Sequence, residues 1–238
     1  MKKILLASVA TIALCGASAF AADRPMPYKA APAAPVFSWT GCYAGVEGGG
    51  NWGKRHDTTE DGTDFVRHNL SGGLAGGTLG CNYQSGSLVW GLEGDFSWTN
   101  KDGSSPSLLT PAFINSTKEK WFATERARVG FAANNWLLYV TGGAAEASVH
   151  VIDTNGILFD AQTKTLSGWT VGGGVEAALG NNWSAKLEFL HADFGRKTFF
   201  PDSAATIPHR VDIRDNILRV GLNWKFGDWG KGPVSARY

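Results

Sequence analysis

Residues Asn216 to Phe226 read Asn-Ile-Leu-Arg-Val-Gly-Leu-Asn-Trp-Lys-Phe, and every second residue, counted back from Phe226, is large and apolar. Leu218, Val220, Leu222, Trp224 and Phe226 form one set, and Arg219, Gly221, Asn223 and Lys225 form the other. A repeat of two puts these sets on opposite faces of one extended strand. One face is as apolar as a lipid tail; the other carries two cations and an amide. A strand of a soluble sandwich can alternate too. The aromatic finish near the chain's end favours a strand of an outer-membrane barrel.

The other end of the chain sets the compartment. Lys2 and Lys3 give a charged start, Ile4 to Ala17 a short apolar run, and Ala19-Phe20-Ala21 a small-x-small site. That pattern predicts a secretory signal peptide over 1–21, cleaved after Ala21 and too short to span a bilayer. Cys15 lies inside it behind Leu14, where a lipid attachment site would want a small residue, so no lipid anchor is expected.

The chain beyond Ala21 is long enough for a single all-β domain. Without Lys2 and Lys3, 20 of the 22 basic side chains remain against 21 acidic ones, a near-neutral balance. It gives no footprint for a nucleic-acid partner. No apolar run beyond the signal approaches the ~18 residues that a membrane helix needs. A membrane protein of this composition has to be a barrel. The 31 glycines suit closely packed, curved strands, and 10 Trp with 13 Phe suit aromatic girdles at the two interfaces. Pro25, Pro27, Pro32 and Pro35 make 22–38 a semi-extended, Pro/Ala-rich periplasmic linker. The barrel is expected over 39–226, with 227–238 as a C-terminal periplasmic extension.

Eight segments alternate as such a barrel requires, at roughly 39–50, 68–83, 88–99, 119–131, 136–147, 166–179, 183–194 and 213–226. In the third, Leu88, Trp90, Leu92, Phe96 and Trp98 oppose Gly91, Glu93, Asp95 and Ser97. Connections of three or four residues at 84–87, 132–135 and 180–182 alternate with long polar stretches near 51–67, 100–118, 148–165 and 195–212. Short periplasmic turns facing long outer loops predict an all-β fold: an eight-stranded antiparallel transmembrane up-and-down barrel. An even strand count returns both termini to the periplasm.

Several phrases carry a further resemblance: Gly-Leu-Glu-Gly-Asp-Phe-Ser-Trp (91–98), Thr-Gly-Gly (141–143), Gly-Trp-Thr-Val-Gly-Gly-Gly-Val-Glu (168–176) and Asn-Trp-Ser-Ala-Lys-Leu-Glu-Phe (182–189). With the Pro/Ala linker and Trp39-Thr-Gly-Cys-Tyr, the chain resembles the small alphaproteobacterial outer-membrane proteins known as surface antigens or "porin family" proteins. That resemblance implies an eight-stranded barrel with structural, antigenic or weakly pore-forming roles and no enzymatic activity. It also implies that Leu218, Val220, Leu222, Trp224 and Phe226 form the signal read by the barrel-assembly machinery. Two features depart from the family pattern. Twelve residues, Gly227 to Tyr238, come after Phe226, where family barrels end, and Glu125 stands in the apolar register among Trp121, Ala123, Ala127 and Val129. A carboxylate facing lipid is costly, which leaves either a position near the rim or a slipped register.

The interior of an eight-stranded barrel is just wide enough for its own side chains. The registers send Glu47, Glu93, Asp95, Arg126, Arg128, Glu176, Lys186, Glu188, Arg219 and Lys225 into it, five acids and five bases. Unpaired buried ions are strongly unfavourable, so these groups should pair into a plug. No Gly-x-Ser-x-Gly or comparable nucleophile motif is present, and no enzyme, catalytic residue or cofactor is expected. His56, His68, His150, His191 and His209 all map to outer loops or upper strand ends. Haem or metal capture is one reading of them, and the ordinary gathering of polar residues in loops is the other; no pair has ligand-like spacing.

Cys42 and Cys81 remain after cleavage. A first hairpin centred near position 61 sets them opposite each other on the apolar face, which predicts a cross-strand disulfide unless the register slips by one. The same register sets Tyr43 beside Gly80. The leading functional expectation is a non-enzymatic envelope protein, embedded in outer-membrane lipid and displaying loops as antigens. Two alternatives stay open: a narrow, ion-permeable porin acting as a homo-oligomer, and a surface receptor for haem or a host ligand.

Overall fold

A computed structural model describes residues 37–227, apart from 60–61, 110, 113, 155–156, 158, 181 and 200–208. The expected signal peptide, most of the linker and the stretch beyond Gly227 lie outside the described residues. Nine strands run in order: β1 Gly41–Thr59, β2 Asp64–Ser85, β3 Leu88–Thr99, β4 Asp102–Pro106, β5 Ile114–Ala133, β6 Trp136–Thr154, β7 Phe159–Gly180, β8 Trp183–Phe199 and β9 His209–Phe226. All pairings are antiparallel. β1 pairs with β2 on one side and with β9 on the other, which closes the sheet into a ring. In lipid that closure is obligatory, because an open edge would leave backbone N–H and C=O groups without partners.

The ring has eight staves, because β3 and β4 together form one. The line breaks at Asn100–Lys101, where the Asn100 amide donates to the Gly73 carbonyl (3.2 Å) and the Asn100 carboxamide oxygen accepts from the Gly73 amide (2.7 Å). Gly72 makes the break sterically possible, since a Cβ there would strike the backbone of Lys101. Across the break, β5 slips register between Glu119 and Trp121. Three tight connections lie at the other end: Gly86, Asn134 and Asn182 all adopt positive φ (61°, 53° and 67°), as short hairpin turns demand.

Outward-pointing Val46, Leu79, Leu92, Leu138, Val140 and Val220 are well exposed, an arrangement stable only against lipid. Exposed Trp52, Trp98 and Trp169 ring one end of this apolar band. Tyr83, Trp90, Phe131, Trp136, Trp183, Trp224 and Phe226 ring the other. Glu125 keeps its outward register, paired with Gly94 and Ala144, and lies four residues inside Trp121, within the band. Of the two readings of Glu125, neither the rim nor a local slip applies; the slip lies at Glu119.

In the stretches at 51–67, 100–118, 148–165 and 195–212, expected as long loops, most of the described residues are strand. β1 runs to Thr59, β6 to Thr154 and β8 to Phe199, so the wall continues beyond the tryptophan belt. Lipid no longer bathes this part, so its outward face has no need of apolar residues.

Candidate functional site

The barrel interior is filled in three layers. At the base, the backbone before β1 folds under the wall. Trp39 is buried with Val89, Leu137 and Tyr139, and Phe37 packs edge-on against it at 4.9 Å. The Trp39 amide donates to Gln84 Oε1 (2.8 Å). Lys225 Nζ donates to the Ser38 carbonyl (2.7 Å) and lies 4.8 Å from the Phe37 ring centre.

The middle layer is ionic. Inward positions of β1, β3, β5, β7, β8 and β9 deliver Glu47, Glu93, Asp95, Arg126, Arg128, Glu176, Lys186, Glu188 and Arg219, all nearly inaccessible. Arg219 is the hub. It meets Glu47 at 2.5 Å, grips Asp95 with both terminal nitrogens at 2.9 Å, and donates from Nε to Glu188 at 2.8 Å. Arg126 joins Glu93 (2.5 Å), Asp95 (2.8 Å) and Glu188 (2.9 Å). Arg128 reaches Glu176 (2.7 Å) and stacks 4.1 Å from the Tyr139 ring centre, while Lys186 Nζ lies 3.1 Å from Glu93. These four bases face five acids, and neutral donors serve the surplus carboxylate. Ser184 (2.5 Å) and Asn223 (2.9 Å) donate to Glu176, and Tyr43 (2.6 Å) donates to Glu93. A Cβ on Gly80 would run into the Tyr43 phenol, so the bare backbone there seats the ring that bonds Glu93.

The upper layer is split. On the β1–β5 side Lys101 Nζ binds Glu119 (2.6 Å) and Asp215 (2.5 Å), and Arg55 binds Asp57 and Thr117. On the β6–β9 side the filling is apolar: Ala147, Val149, Val151, Leu166, Leu190, Phe194, Val211, Ile213 and Ile217, with Phe122 edge-on to Phe194 at 6.3 Å. Asp153 and Asn115, directly paired across β5 and β6, are buried here without a hydrogen-bond partner among the described residues. Burial pushes the Asp153 carboxyl up to about 7. Desolvation, with Arg55 nearby, brings His68 down to about 4.

Of the ten residues expected in the lumenal network, the structure brings nine together. Lys225 is the exception: it sits below the layer and caps the Ser38 carbonyl. The expected balance of five bases to five acids becomes four to five. Sequence reasoning passed over Lys101, Glu119, Asp215, Arg55 and Asp57. The first two fall at the β3–β4 break and the β5 slip, where period-two counting loses its phase; the others lie in or beside stretches whose composition is that of a loop. The alternation of Arg210-Val211-Asp212-Ile213-Arg214-Asp215 is the signal that could have found Asp215.

Cys42 and Cys81 are joined by a disulfide between β1 and β2, on the outer face beside Phe226. Leu218, Val220, Leu222, Trp224 and Phe226 all point outward and are exposed. His56, His68, His150 and His191 stand on β1, β2, β6 and β8. His150 Nδ1 pairs with Thr163 (2.7 Å) and His191 Nδ1 with Asn216 (2.9 Å). The side chain of His209 lies outside the described residues. Among the described residues no three His, Cys, Asp or Glu side chains converge as metal ligands.

An eight-stave ring with an apolar, aromatic-bounded exterior and an ionic interior finds its counterpart among known families. Residues 7–226 match the family described as outer membrane protein beta-barrel domain. The chain belongs to that family. It is 37% identical to the 31 kDa outer-membrane immunogenic protein of Brucella melitensis biotype 1, over 95% of this chain and 100% of that one. It is 30% identical to the 25 kDa outer-membrane immunogenic protein of Brucella abortus biovar 1, over 95% and 99%. It is also 35% identical to the 22 kDa outer membrane protein of Rhizobium leguminosarum bv. viciae, over 82% of each. Membership of this family places the protein in the outer membrane.

Proposed function

We propose that this protein is a closed, non-enzymatic barrel that strengthens the outer membrane and presents the outer ends of its strands as surface antigen. The observation that carries this reading is the continuity of the three layers. A solute entering from the periplasm meets Trp39 and Tyr139, then the Arg219 hub, then the apolar core around Phe194. Opening a path would strip partners from several buried ions at once, each break costing about 3–5 kcal/mol. The extension of β1, β6 and β8 beyond the tryptophan belt supplies a rigid outer surface, and the Brucella relatives carry the description immunogenic.

Planar-bilayer recording of the refolded full chain tests it. The expected trace stays at lipid background across ±100 mV (roughly 2 kcal/mol per unit charge). Reproducible conductance steps from the unmodified protein would replace this reading with the narrow-porin one.

A further inference from the structure

Above the outer tryptophan belt, one side of the barrel carries basic residues on its outside. Outward residues of β8, β9, β1 and β2 stand there in rows. The first row, level with Trp52, holds His191, Asn216 and Ser71. The next aligns Asp193, Arg214, Lys54 and Asn69, and the one above aligns Arg196, Asp212, His56 and Arg67. Arg210 comes next, paired with Thr58 and Thr198. Five bases, Lys54, Arg67, Arg196, Arg210 and Arg214, thus stand in these rows with three acids, Asp193, Asp212 and Asp64, the last paired with Thr58, among the described residues. Asp193 and Asp212 orient Arg196 and Arg214 without covering them. Arg214 Nε lies 3.2 Å from Asp193 and 3.4 Å from Asp212, yet its side chain keeps 59% of its accessibility; Arg196 is 3.7 Å from Asp212 and keeps 70%. Between Trp52, Lys54, His191 and Arg214 the wall opens into a groove of about 920 Å³.

Two contrasts show that the patch is placed and not merely polar surface. The β6–β7 wall at comparable height presents Glu146, Thr163, Thr165 and Ser167. The opposite end of the barrel, beyond Trp136 and Trp183, turns through neutral Gly86, Ser87, Asn134, Asn135 and Asn182. Among the described residues the longest run of outward bases therefore lies on this flank; the β5 wall carries Lys118 and Lys120, with Asp102 paired to Lys118.

We propose that this flank binds the phosphorylated headgroup of an outer-leaflet glycolipid, one acyl chain lying against Trp52 and Phe189 and its phosphates on Lys54 and Arg214. Trp52 and Phe189 make one aromatic surface, with ring centres 6.4 Å apart, directly below the cations. An aromatic belt marks the boundary between hydrocarbon and headgroups. Lys54 stands two residues above Trp52, a rise of about 5–6 Å at strand spacing and barrel tilt, which is where headgroup phosphates begin. Guanidinium groups pair with phosphate through two parallel hydrogen bonds, and Lys54, Arg196 and Arg214 all line the groove, cations enough for two phosphates. A free phosphate would share the cations but not the aromatic surface.

Native mass spectrometry of the detergent-folded full chain tests this, with diphosphoryl lipid A, its dephosphorylated form and inorganic pyrophosphate as probes. The unmodified protein should retain diphosphoryl lipid A at least ten-fold better than the dephosphorylated form, with pyrophosphate competing only weakly. A Lys54→Gln/Arg196→Gln/Arg214→Gln variant should lose that preference. Lys118→Gln/Lys120→Gln, on the exposed face of β5, should keep it. Heat-modifiable gel mobility reports that both variants remain folded. Equal retention of the two lipids, equal loss in both variants, or pyrophosphate competing as well as the lipid would each overturn the proposal.

Discussion

The two halves of β9 obey opposite rules. From Leu218 to Phe226 the outward set is Leu218, Val220, Leu222, Trp224 and Phe226, while Arg219 and Asn223 are buried. From Arg210 to Ile217 the outward set is Arg210, Asp212, Arg214 and Asn216, and Val211, Ile213 and Ile217 are buried with one acid, Asp215, which pairs with Lys101. One strand, with unbroken backbone pairing to β1, is built inside-out below a line and right-side-out above it. The solvent outside decides which set faces it. Lipid takes the apolar set and leaves the lumen to ions; water takes the polar set and leaves the interior to a conventional core.

The line itself can be read from adjacent apolar residues that break the alternation. Ile217 is inward and Leu218 outward; Leu190 is inward and Phe189 outward; Phe122 is inward and Trp121 outward. Ile217 and Leu190 are also partners in register, so on adjacent strands the doublets stand at one height. Each doublet is where the alternation keeps its period and changes its phase.

If the two halves differ as described, cutting the lower one at its hub should do the most damage. Replacing Arg219 by Ala leaves Glu47, Asp95 and Glu188 short of a partner at once, and breaking a buried network in this way costs about 3–5 kcal/mol. Arg214→Ala, five residues away on the same strand but half-exposed to water, should change stability by no more than about 0.5 kcal/mol. Urea titration of both variants in detergent or bilayer measures the difference. Similar midpoints for the two would erase the contrast between interior and exterior cations.

The upper half should break differently. Phe194 fills the apolar core beside Phe122, and truncating it to Ala should cost about 3 kcal/mol. The loss should remain local. Hydrogen exchange is expected to accelerate at 190–199 and 211–217, while 218–226, held by the ionic layer, keeps its protection. Faster exchange through Phe226 would show that the halves unfold as one unit.

The same inversion sets how much the sequence disclosed. The closed all-β barrel, its antiparallel order and nine of the lumenal ions are legible in strands such as 88–99 and 183–194, where lipid imposes an apolar face every second residue. Outside the band that demand lapses. A strand such as Arg210–Asp215, polar without and apolar within, has the composition of a loop to an eye looking for lipid contact. Lys101 and Glu119 are harder still. Lys101 comes after a break that depends on Gly72, and Glu119 turns inward only because Lys120 is an extra residue on β5. Neither register change has a local signature. Lys225 has the correct parity for the lumen, yet its long side chain finds the Ser38 carbonyl below.

The finest distinction between the halves concerns protons. Asp153 lies in the upper layer, where its carboxylate has no hydrogen-bond donor among the described residues, and its pKa stands at about 7 against an ordinary 3.8. A carboxyl whose pKa is raised by folding opposes folding once the unfolded chain's carboxyl ionises while the folded one still holds its proton. The penalty is absent below about pH 4 and grows through the interval up to about 7. His68, lowered to about 4, acts in the opposite sense: its penalty is absent above about 6.5 and grows as the pH falls. Asp153→Asn removes the first effect and leaves the second. In the variant, amides of Val149 to Ile152 should exchange several-fold more slowly than in the unmodified protein at pH 8. At pH 4, where Asp153 is already neutral, the two should agree. A ratio that stays constant between these pH values would mean that Asp153 is ionised in the fold throughout, and that the upper layer tolerates an unpaired charge as readily as the lower one pairs its own.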